Sequence, residues 1–401
     1  MTTTNVNLYK YEPPNDWISA HSLYTCRQRM NLNPSQVENL TGISANQIID
    51  WENSIGVPTL ENLETLAKHY RCPVGYFFID EPPALHTEAV NFRGLSKDKI
   101  ESLSYTSRLR IDEFIILVET LADIVKELSI PNNPDISEAH LNDDIKGIVE
   151  KERKAFGFTS EIREQWITPN DAFDFWKNTI EARGVYVISL GLIVNEVRGA
   201  SKWDNESPPA ILVNKNDKES ATGRTFTLLH EWAHLMLREP GIVCDFIGFE
   251  EKERIEHFAN KFAAEMMVSK GELRQYLETK GLYKYKSRWG DVDIDTVKHH
   301  FKVSRDVIAI SIENLKLAPN GFYMTKRAQW DKRKPYFSGP PIHRLGKTKV
   351  RRRYQELGKP FSNIISDAYM NSSISMTSLS RILGMKVDKF PDFVNYVKAS
   401  R

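Results

Sequence analysis

The sequence predicts a mostly helical α+β protein, and three observations carry that prediction. Apolar residues recur at helical spacing over most of the 401 residues. Three short runs, at 185–190, 197–203 and 210–214, instead alternate or stay apolar between turn residues, as strands do. Proline-rich breaks near residues 82 and 131 divide the chain. We therefore predict an N-terminal tail at 1–17, an all-α head at 18–80, a linker and helical connector at 81–160, an α+β domain at 161–318 and a helical C-terminal extension at 319–401.

The head is predicted to contain four or five short helices. Asn33-Pro34-Ser35 opens the second of them, Thr41-Gly42 marks a turn, and Ser44 caps the third. A further helix starts at Pro58-Thr59.

The composition and the cysteine pattern indicate in which cellular compartment the protein is found. The chain is 41% hydrophobic and 27% charged, and no stretch approaches the roughly 20 apolar residues that span a bilayer. The first residues lack the charged and apolar segments of a signal peptide. The cysteines Cys26, Cys72 and Cys244 are odd in number and form no CxxC pair. We expect a cytoplasmic protein without membrane contact or a thiolate metal site.

The candidate metal-binding and catalytic residues lie in the motif His230-Glu231-Trp232-Ala233-His234, on a helix predicted at 221–238. Two histidines four residues apart on one helix face can bind the same zinc ion. Glu231 then lies beside the open coordination position and can act as general base toward water. The sequence therefore predicts a hydrolytic zinc site with His230 and His234 as ligands and Glu231 as the catalytic base.

A third protein ligand is expected from the next helix, predicted at 251–268. Glu256 lies at the edge of that helix's apolar stripe, where a carboxylate can reach inward to a metal. Glu253 has a similar azimuth one turn earlier, and spacing alone does not exclude it. The oxyanion stabiliser is not identified by the sequence; His257, Arg224 and Tyr186 are the candidates.

Together these segments resemble the ImmA/IrrE-type metallopeptidases. The resemblance rests on a strand ending in Asn214, the motif from His230 to His234, and the pattern Glu256-x-x-Ala259-Asn260 that follows. It covers about residues 165 to 270 closely. It implies that Zn2+ is held by His230, His234 and Glu256, and that Glu231 is the general base. Trp232 departs from the family, in which leucine is commoner.

The head resembles the Cro/C1-type helix-turn-helix. The resemblance places the recognition helix at 43–53 and implies that Ser44, Asn46 and Gln47 face base edges, with Gln36 supporting them or contacting phosphate. The family usually has glycine where Ser54 stands. An operator in DNA is therefore an expected partner of residues 18–80, and a homodimer would strengthen its binding.

The distribution of charged residues is also compatible with partners other than an operator. Between residues 18 and 80 there are four Lys or Arg and six Asp or Glu, so the head has little to offer phosphates and could instead serve protein contact or dimerisation. Residues 324–353 carry eleven Lys or Arg against one acid. Such a segment is typical of a nucleic-acid surface, of a docking surface for an acidic protein, or of a solvated helix face.

The combination predicts a regulatory zinc metalloendopeptidase coupled to a DNA-binding module, which cleaves or inactivates a repressor-type protein. The rival prediction is a non-catalytic transcriptional repressor or antitoxin that binds its operator and a neighbouring toxin. The intact Glu231 favours the enzyme, because a purely structural metal site gains nothing from a carboxylate beside its open position.

Overall fold

A computed structural model describes residues 17–30, 32–70, 72–82, 103–193, 196–216, 221–238, 249–331 and 348–401. The chain divides into two compact units, residues 1–90 with 97–112 and residues 91–96 with 113–401. The predicted mostly helical α+β class is confirmed. No helix among the described residues combines the length and apolarity needed to cross a bilayer.

The first unit contains the helix-turn-helix. Its helices are α1 (Ala20–Arg29), α2 (Pro34–Thr41), α3 (Ala45–Glu52) and α4 (Leu60–Tyr70), followed by a 3-10 turn at Val74–Phe78. Asn33 caps α2 and Ser44 caps α3, each in a reciprocal capping box with a glutamine three residues later. Gly42 takes φ +77° between the two helices, a conformation that glycine adopts without strain. The predicted turn chemistry therefore sets the angle between α2 and α3.

The core of this unit contains an ion pair and two thiols. Arg27 of α1 makes two hydrogen bonds of 2.6 Å to Glu52 at the end of α3, and both side chains are buried. This pair fixes α3 against α1. The free thiol of Cys26 is buried in this core, and the half-buried Cys72 packs against the same core. Cys244 lies outside the described residues.

The second unit begins with the connector helices. These are the rest of α5 (Tyr105–Glu127), whose first residues belong to the first unit, then α6 (Ile145–Ala155) and α7 (Ser160–Glu164). The helix expected at 138–156 starts seven residues late. Ala139 instead donates its backbone N–H to the carbonyl of Met236 at 3.0 Å, so a tertiary contact holds residues 138–144 out of helical form.

A three-stranded mixed sheet follows α8 (Pro169–Ala182). Its strands are β1 (Tyr186–Leu190), β2 (Gly199–Lys202) and β3 (Ala210–Asn214), in the order β1-β3-β2. β3 pairs parallel with β1 and antiparallel with β2. All five residues of β3 are buried, which explains why it reads as a continuous apolar run.

Among the described residues, seven helices follow this sheet before the last three helices of the chain. They are α9 (Ala221–Leu237), α10 (Phe249–Met267), α11 (Lys270–Thr279), α12 (Asp291–Phe301), α13 (Arg305–Asn314), α14 (Phe322–Asp331) and α15 (Lys349–Leu357). The chain ends in α16 (Lys359–Met370), α17 (Met376–Leu383) and α18 (Phe390–Ala399). α9 is buried around most of its circumference, as expected of a helix in the centre of the domain.

The C-terminal helices join the same unit through β1 and α8. Phe361 of α16 lies edge-on to Tyr186 of β1 with ring centroids 6.3 Å apart. Gly358, between α15 and α16, has φ +80° and approaches buried Glu181 so closely that an added Cβ would lie 2.3 Å from its Oε1. Only glycine fits this junction.

Candidate functional site

The two histidines of the predicted motif face the same point from α9. His230 and His234 are one helical turn apart, and their Nε2 atoms are 3.1 Å from each other. The side chain of His234 is almost fully buried, whereas His230 retains some exposure. Leu228, Leu229 and Ala233 pack α9 into the core and hold this pair in place.

The carboxylate of Glu256 reaches the pair from α10. Its Oε2 lies 3.4 Å from Nε2 of His230, and its Oε1 lies 3.4 Å from Nε2 of His234. Each of these three residues offers one ligand atom, and the three atoms lie within 4.8 Å of one another, so they could bind the same metal ion. Glu253, the alternative that spacing left open, is exposed and is not part of the group.

The electrostatics of the group favour a positive charge at its centre. Burial alone would lower the pKa of His230, but the carboxylates of Glu256 and Glu231 outweigh it and raise that pKa. Burial would raise the pKa of Glu256, but hydrogen bonds to both imidazoles lower it well below its usual range. The shifts of His230 and Glu256 have opposite signs because each group stabilises the charged form of the other, the carboxylate an imidazolium and the imidazoles a carboxylate.

The donor set and its spacing fit zinc. Tetrahedral coordination at about 2.0–2.1 Å places neighbouring ligand atoms about 3.3 Å apart. The three separations here, 3.1, 3.4 and 3.4 Å, are close to that value. The side chain of Glu256 is 34% exposed, so this side of the group is open to a further ligand. A closed structural site would have no such opening.

Glu231 is buried beside the histidines and has an unusual neighbour. Its side chain is on the buried face of α9, and its Oε2 has no hydrogen-bond partner among the described residues. Gly199 of β2 lies so close that an added Cβ would be 3.3 Å from Glu231 Oε1 and 2.3 Å from Cγ2 of Thr227. A buried carboxylate oxygen of this kind is suited to bind a water or another polar group that enters the site.

In the sequence, Asn214 is only the last residue of the strand that belongs to the family motif. In the structure its side chain orders a loop. Its Oδ1 accepts from the backbone N–H of Leu192, and its Nδ2 donates to the carbonyl of Val197 at 2.9 Å. The fully buried side chain therefore orders the connection between β1 and β2. That connection leads into Gly199 and so sets where β2 approaches α9.

Two of the three oxyanion candidates contact other side chains, and the third is exposed. Arg224 lies over the ring of Phe173 and donates to Asn170. Tyr186 packs on Phe361, and His257 is exposed on α10. None of these named contacts is with the metal-binding side chains.

The residues expected to read DNA lie at the starts of two helices, Gln36 in the first turn of α2 and Ser44, Asn46 and Gln47 at the beginning of α3. Gln36, Asn46 and Gln47 are exposed and Ser44 is half-buried. The Oε1 of Gln36 accepts from Asn33 N at 2.8 Å, and Ser44 and Gln47 cap α3 reciprocally. Three of the four therefore also stabilise helix ends, which leaves Asn46 as the exposed residue outside the capping boxes.

The charge available to DNA is lower than the residue count suggests. Arg27 is buried against Glu52, and the Oε2 of Glu38 accepts from Ala45 N at 3.3 Å, at the start of the recognition helix. A carboxylate at that point occupies a helix N-terminus that would otherwise attract phosphate.

The basic segment at 324–353 is partly neutralised where the structure describes it. Lys326 pairs with Asp291 and Arg327 with Asp306, while Arg353 is buried against Glu113. Lys349, Arg351 and Arg352 remain exposed on α15. The five basic residues between 332 and 347 lie outside the described residues, together with Tyr336 and Phe337.

Comparison with known families agrees with both predicted resemblances. Residues 180–313 match the Peptidase_M78 family model, described as the IrrE N-terminal-like domain. Residues 23–77 match a helix-turn-helix family model. No curated protein and no solved structure matched the chain. The chain thus carries a helix-turn-helix domain followed by a metallopeptidase-family domain, as the sequence predicted.

Proposed function

We propose that the chain is a zinc-dependent metalloendopeptidase that controls transcription by cleaving or inactivating a repressor-type protein. The observation that supports this most is the convergence of His230, His234 and Glu256, with the buried Glu231 beside them. The match of residues 180–313 to a peptidase family supports the same reaction class.

His230, His234 and Glu256 would hold the metal through two imidazole nitrogens and a carboxylate. When bound, zinc would polarise the scissile carbonyl and make water nucleophilic near neutral pH. Glu231 would accept the proton of that water and deliver it to the leaving amine. Its burial beside Gly199 would hold the carboxylate in one orientation, which favours proton transfer.

The helix-turn-helix would bring the peptidase to DNA. The match of residues 23–77 supports DNA binding, and we propose an operator read by Asn46, with Ser44, Gln47 and Gln36 in support. Because the head has few free cations, a homodimer that doubles its phosphate contacts would raise its affinity. The exposed Arg351 and Arg352 are a second surface for nucleic acid or for an acidic protein.

The decisive experiment replaces the proton acceptor alone. Glu231→Gln keeps the size of the side chain, so fold and zinc content should match the wild type. General-base removal should slow cleavage by about 10²–10⁴-fold. The partner is sought among the products of neighbouring genes, co-expressed with wild type or variant, and cleavage is followed by mass spectrometry together with a transcription reporter.

A matched control is Glu265→Gln, which changes a carboxylate of α10 that pairs with Lys270 away from the metal group. It should cleave and regulate as the wild type does. If Glu231→Gln also regulates fully and neutralises a neighbouring toxin, the non-catalytic repressor or antitoxin replaces the peptidase as the function.

A further inference from the structure

Helix α6 touches both helices that carry the candidate metal ligands, although it lies outside the 180–313 match to the peptidase family. Two consecutive residues make the contacts. Glu152 reaches α9, which carries His230 and His234, and Arg153 reaches α10, which carries Glu256.

The contact to α9 is a buried hydrogen bond to the tryptophan of the metal-binding motif. The indole Nε1 of Trp232 donates to Oε2 of Glu152 at 3.0 Å, and both side chains are fully buried. Arg183 donates to the same oxygen at 2.8 Å, and its guanidinium lies 4.8 Å from the indole ring centroid. A buried, charge-assisted bond of this kind is strong and directional.

This bond acts on the residues that do the chemistry. Trp232 follows Glu231 directly and stands two residues before His234, so any rotation of α9 that breaks the indole contact also turns both side chains. Leucine, the residue expected at this position from the family resemblance, could not donate such a bond. Trp232 therefore gives this chain a polar anchor for the helix.

The contact to α10 is made at the C-terminal end of that helix, whereas Glu256 lies nearer its N-terminal end. Nε of Arg153 donates to the carbonyl of Met266 at 3.1 Å, in the last turn of α10. Its Nη2 bonds to Glu272 of α11 at 2.6 Å, which holds the guanidinium in place. Glu152 and Arg153 thus connect one rigid helix to each of the two ligand-bearing helices.

We infer that Glu152 and Arg153 are positioning residues that fix the separation between the histidine pair and Glu256, and so set the affinity of the centre for zinc. The inference rests on the proposed function in one respect, that the centre binds zinc. Its basis is preorganisation: ligands already held at the correct spacing lose less freedom when the ion binds.

The test measures zinc affinity of the full chain by competition with a chromophoric chelator, using Zn2+ itself as the probe. Trp232→Phe removes the N–H donor and keeps an aromatic ring, and Glu152→Gln removes the charge. Each should weaken zinc binding by about 10-fold, the lower end of the range for residues that support metal ligands. The double variant should bind zinc about as weakly as Trp232→Phe alone, because loss of the indole N–H already removes the bond that Glu152→Gln weakens.

Trp289→Phe is the matched control for loss of a buried indole hydrogen bond. Nε1 of Trp289 donates to the carbonyl of Leu317 at 3.0 Å, remote in sequence from both ligand helices. It should lower the melting temperature as Trp232→Phe does and keep the zinc affinity of the wild type. Arg153→Lys, which retains charge but loses Nε, should weaken zinc binding and add to the effect of Trp232→Phe, because it acts on α10.

Wild-type zinc affinity in Trp232→Phe, or an equal loss in Trp289→Phe, would overturn the positioning role while leaving the proposed function intact. Additive losses in Glu152→Gln with Trp232→Phe would show that Glu152 does not act through the indole. A wild-type chain that binds no zinc would overturn both proposals.

Discussion

Gly199 of β2 and Glu231 of α9 are so close that any side chain on the glycine would enter the space beside the carboxylate. An added Cβ would also lie 2.3 Å from Cγ2 of Thr227 and 2.9 Å from the carbonyl oxygen of Leu212. The strand and the helix can therefore approach only because residue 199 lacks a Cβ. The position of the proposed general base depends on this approach.

Gly199→Ala should consequently harm both stability and activity. Relief of the clash requires a shift of β2 or α9, which we expect to lower the free energy of unfolding by about 1–3 kcal/mol, as measured by urea denaturation. Gly271→Ala is the control, since an added Cβ there meets nothing within 4 Å. Equal stability of the two variants would contradict this reading of the contact between β2 and α9.

Glu256 and Glu253 make a matched pair for identifying the third ligand. Glu256→Gln replaces a carboxylate that lies between the two imidazoles, so purified protein should lose most of its zinc, as measured by atomic emission. Glu253→Gln changes an exposed carboxylate one turn away and should keep about one zinc per chain. The reverse pattern would assign the ligand to Glu253.

The stability of the protein should depend on pH through the ionisation of Glu181. Burial raises the pKa of Glu181 to about 7, although Lys177 and the backbone of Lys359 act in the opposite direction. Because this pKa lies above that of the unfolded chain, the contribution of Glu181 to stability is complete below about pH 4.5 and is lost as the pH rises through 7. Glu181→Gln should therefore unfold with a free energy on the order of 1–3 kcal/mol higher than wild type at pH 8 and similar at pH 5.

Glu272→Gln provides a control of opposite sign for that measurement. Burial raises the pKa of Glu272, but Arg153 and Arg163 outweigh it and lower the pKa to about 2. This carboxylate contributes stability above about pH 4.5 and loses it as the pH falls toward 2. The variant should be less stable than wild type at pH 8. A Glu181→Gln protein that is also less stable at pH 8 would refute the assignment.

Asn46 should contribute to recognition of the operator bases without stabilising the fold of residues 18–80. Asn46→Ala should lower affinity for the selected operator by about 1–3 kcal/mol in fluorescence anisotropy, with an unchanged melting temperature. Gln47→Ala should also lower the melting temperature, because Gln47 belongs to the capping box of α3. An equal loss for operator and unrelated DNA in Asn46→Ala would instead indicate a phosphate contact.

The parts predicted well from sequence are those set by local signals. β3 was predicted with the bounds that it has, because an apolar run lies between Pro209 and the turn after Asn214. The start of α3 followed from the capping residue Ser44. The spacing of His230 and His234 fixed their common direction, since any helix brings residues four apart to one face.

The parts that sequence could not supply depend on long-range contacts. Helical azimuth allowed both Glu253 and Glu256, and only the packing of α10 against α9 separates them. Glu152 reads as an ordinary charged residue of an amphipathic helix, yet it is fully buried because Trp232 and Arg183 both donate to it. The basic run from Lys349 gave no hint that Arg353 would be buried.

Ser54 illustrates a departure from the family pattern that the fold tolerates. It stands where glycine is usual, and it adopts φ +63° after α3, a conformation that most side chains avoid. In this conformation the backbone N–H groups of Ser54 and Ile55 donate to the carbonyls of Trp51 at 3.2 Å and Asp50 at 2.7 Å, which closes the end of the helix.

The junction at Gly358 limits how the protein can be shortened. A fragment that stops at the end of the family match, near residue 313, would lack the helices that pack on β1 and would leave Tyr186 and the carboxyl of Glu181 uncovered. Apolar strand surface exposed in this way promotes self-association. We therefore expect a fragment that ends near residue 313 to precipitate, whereas one that extends through Arg401 should stay dispersed.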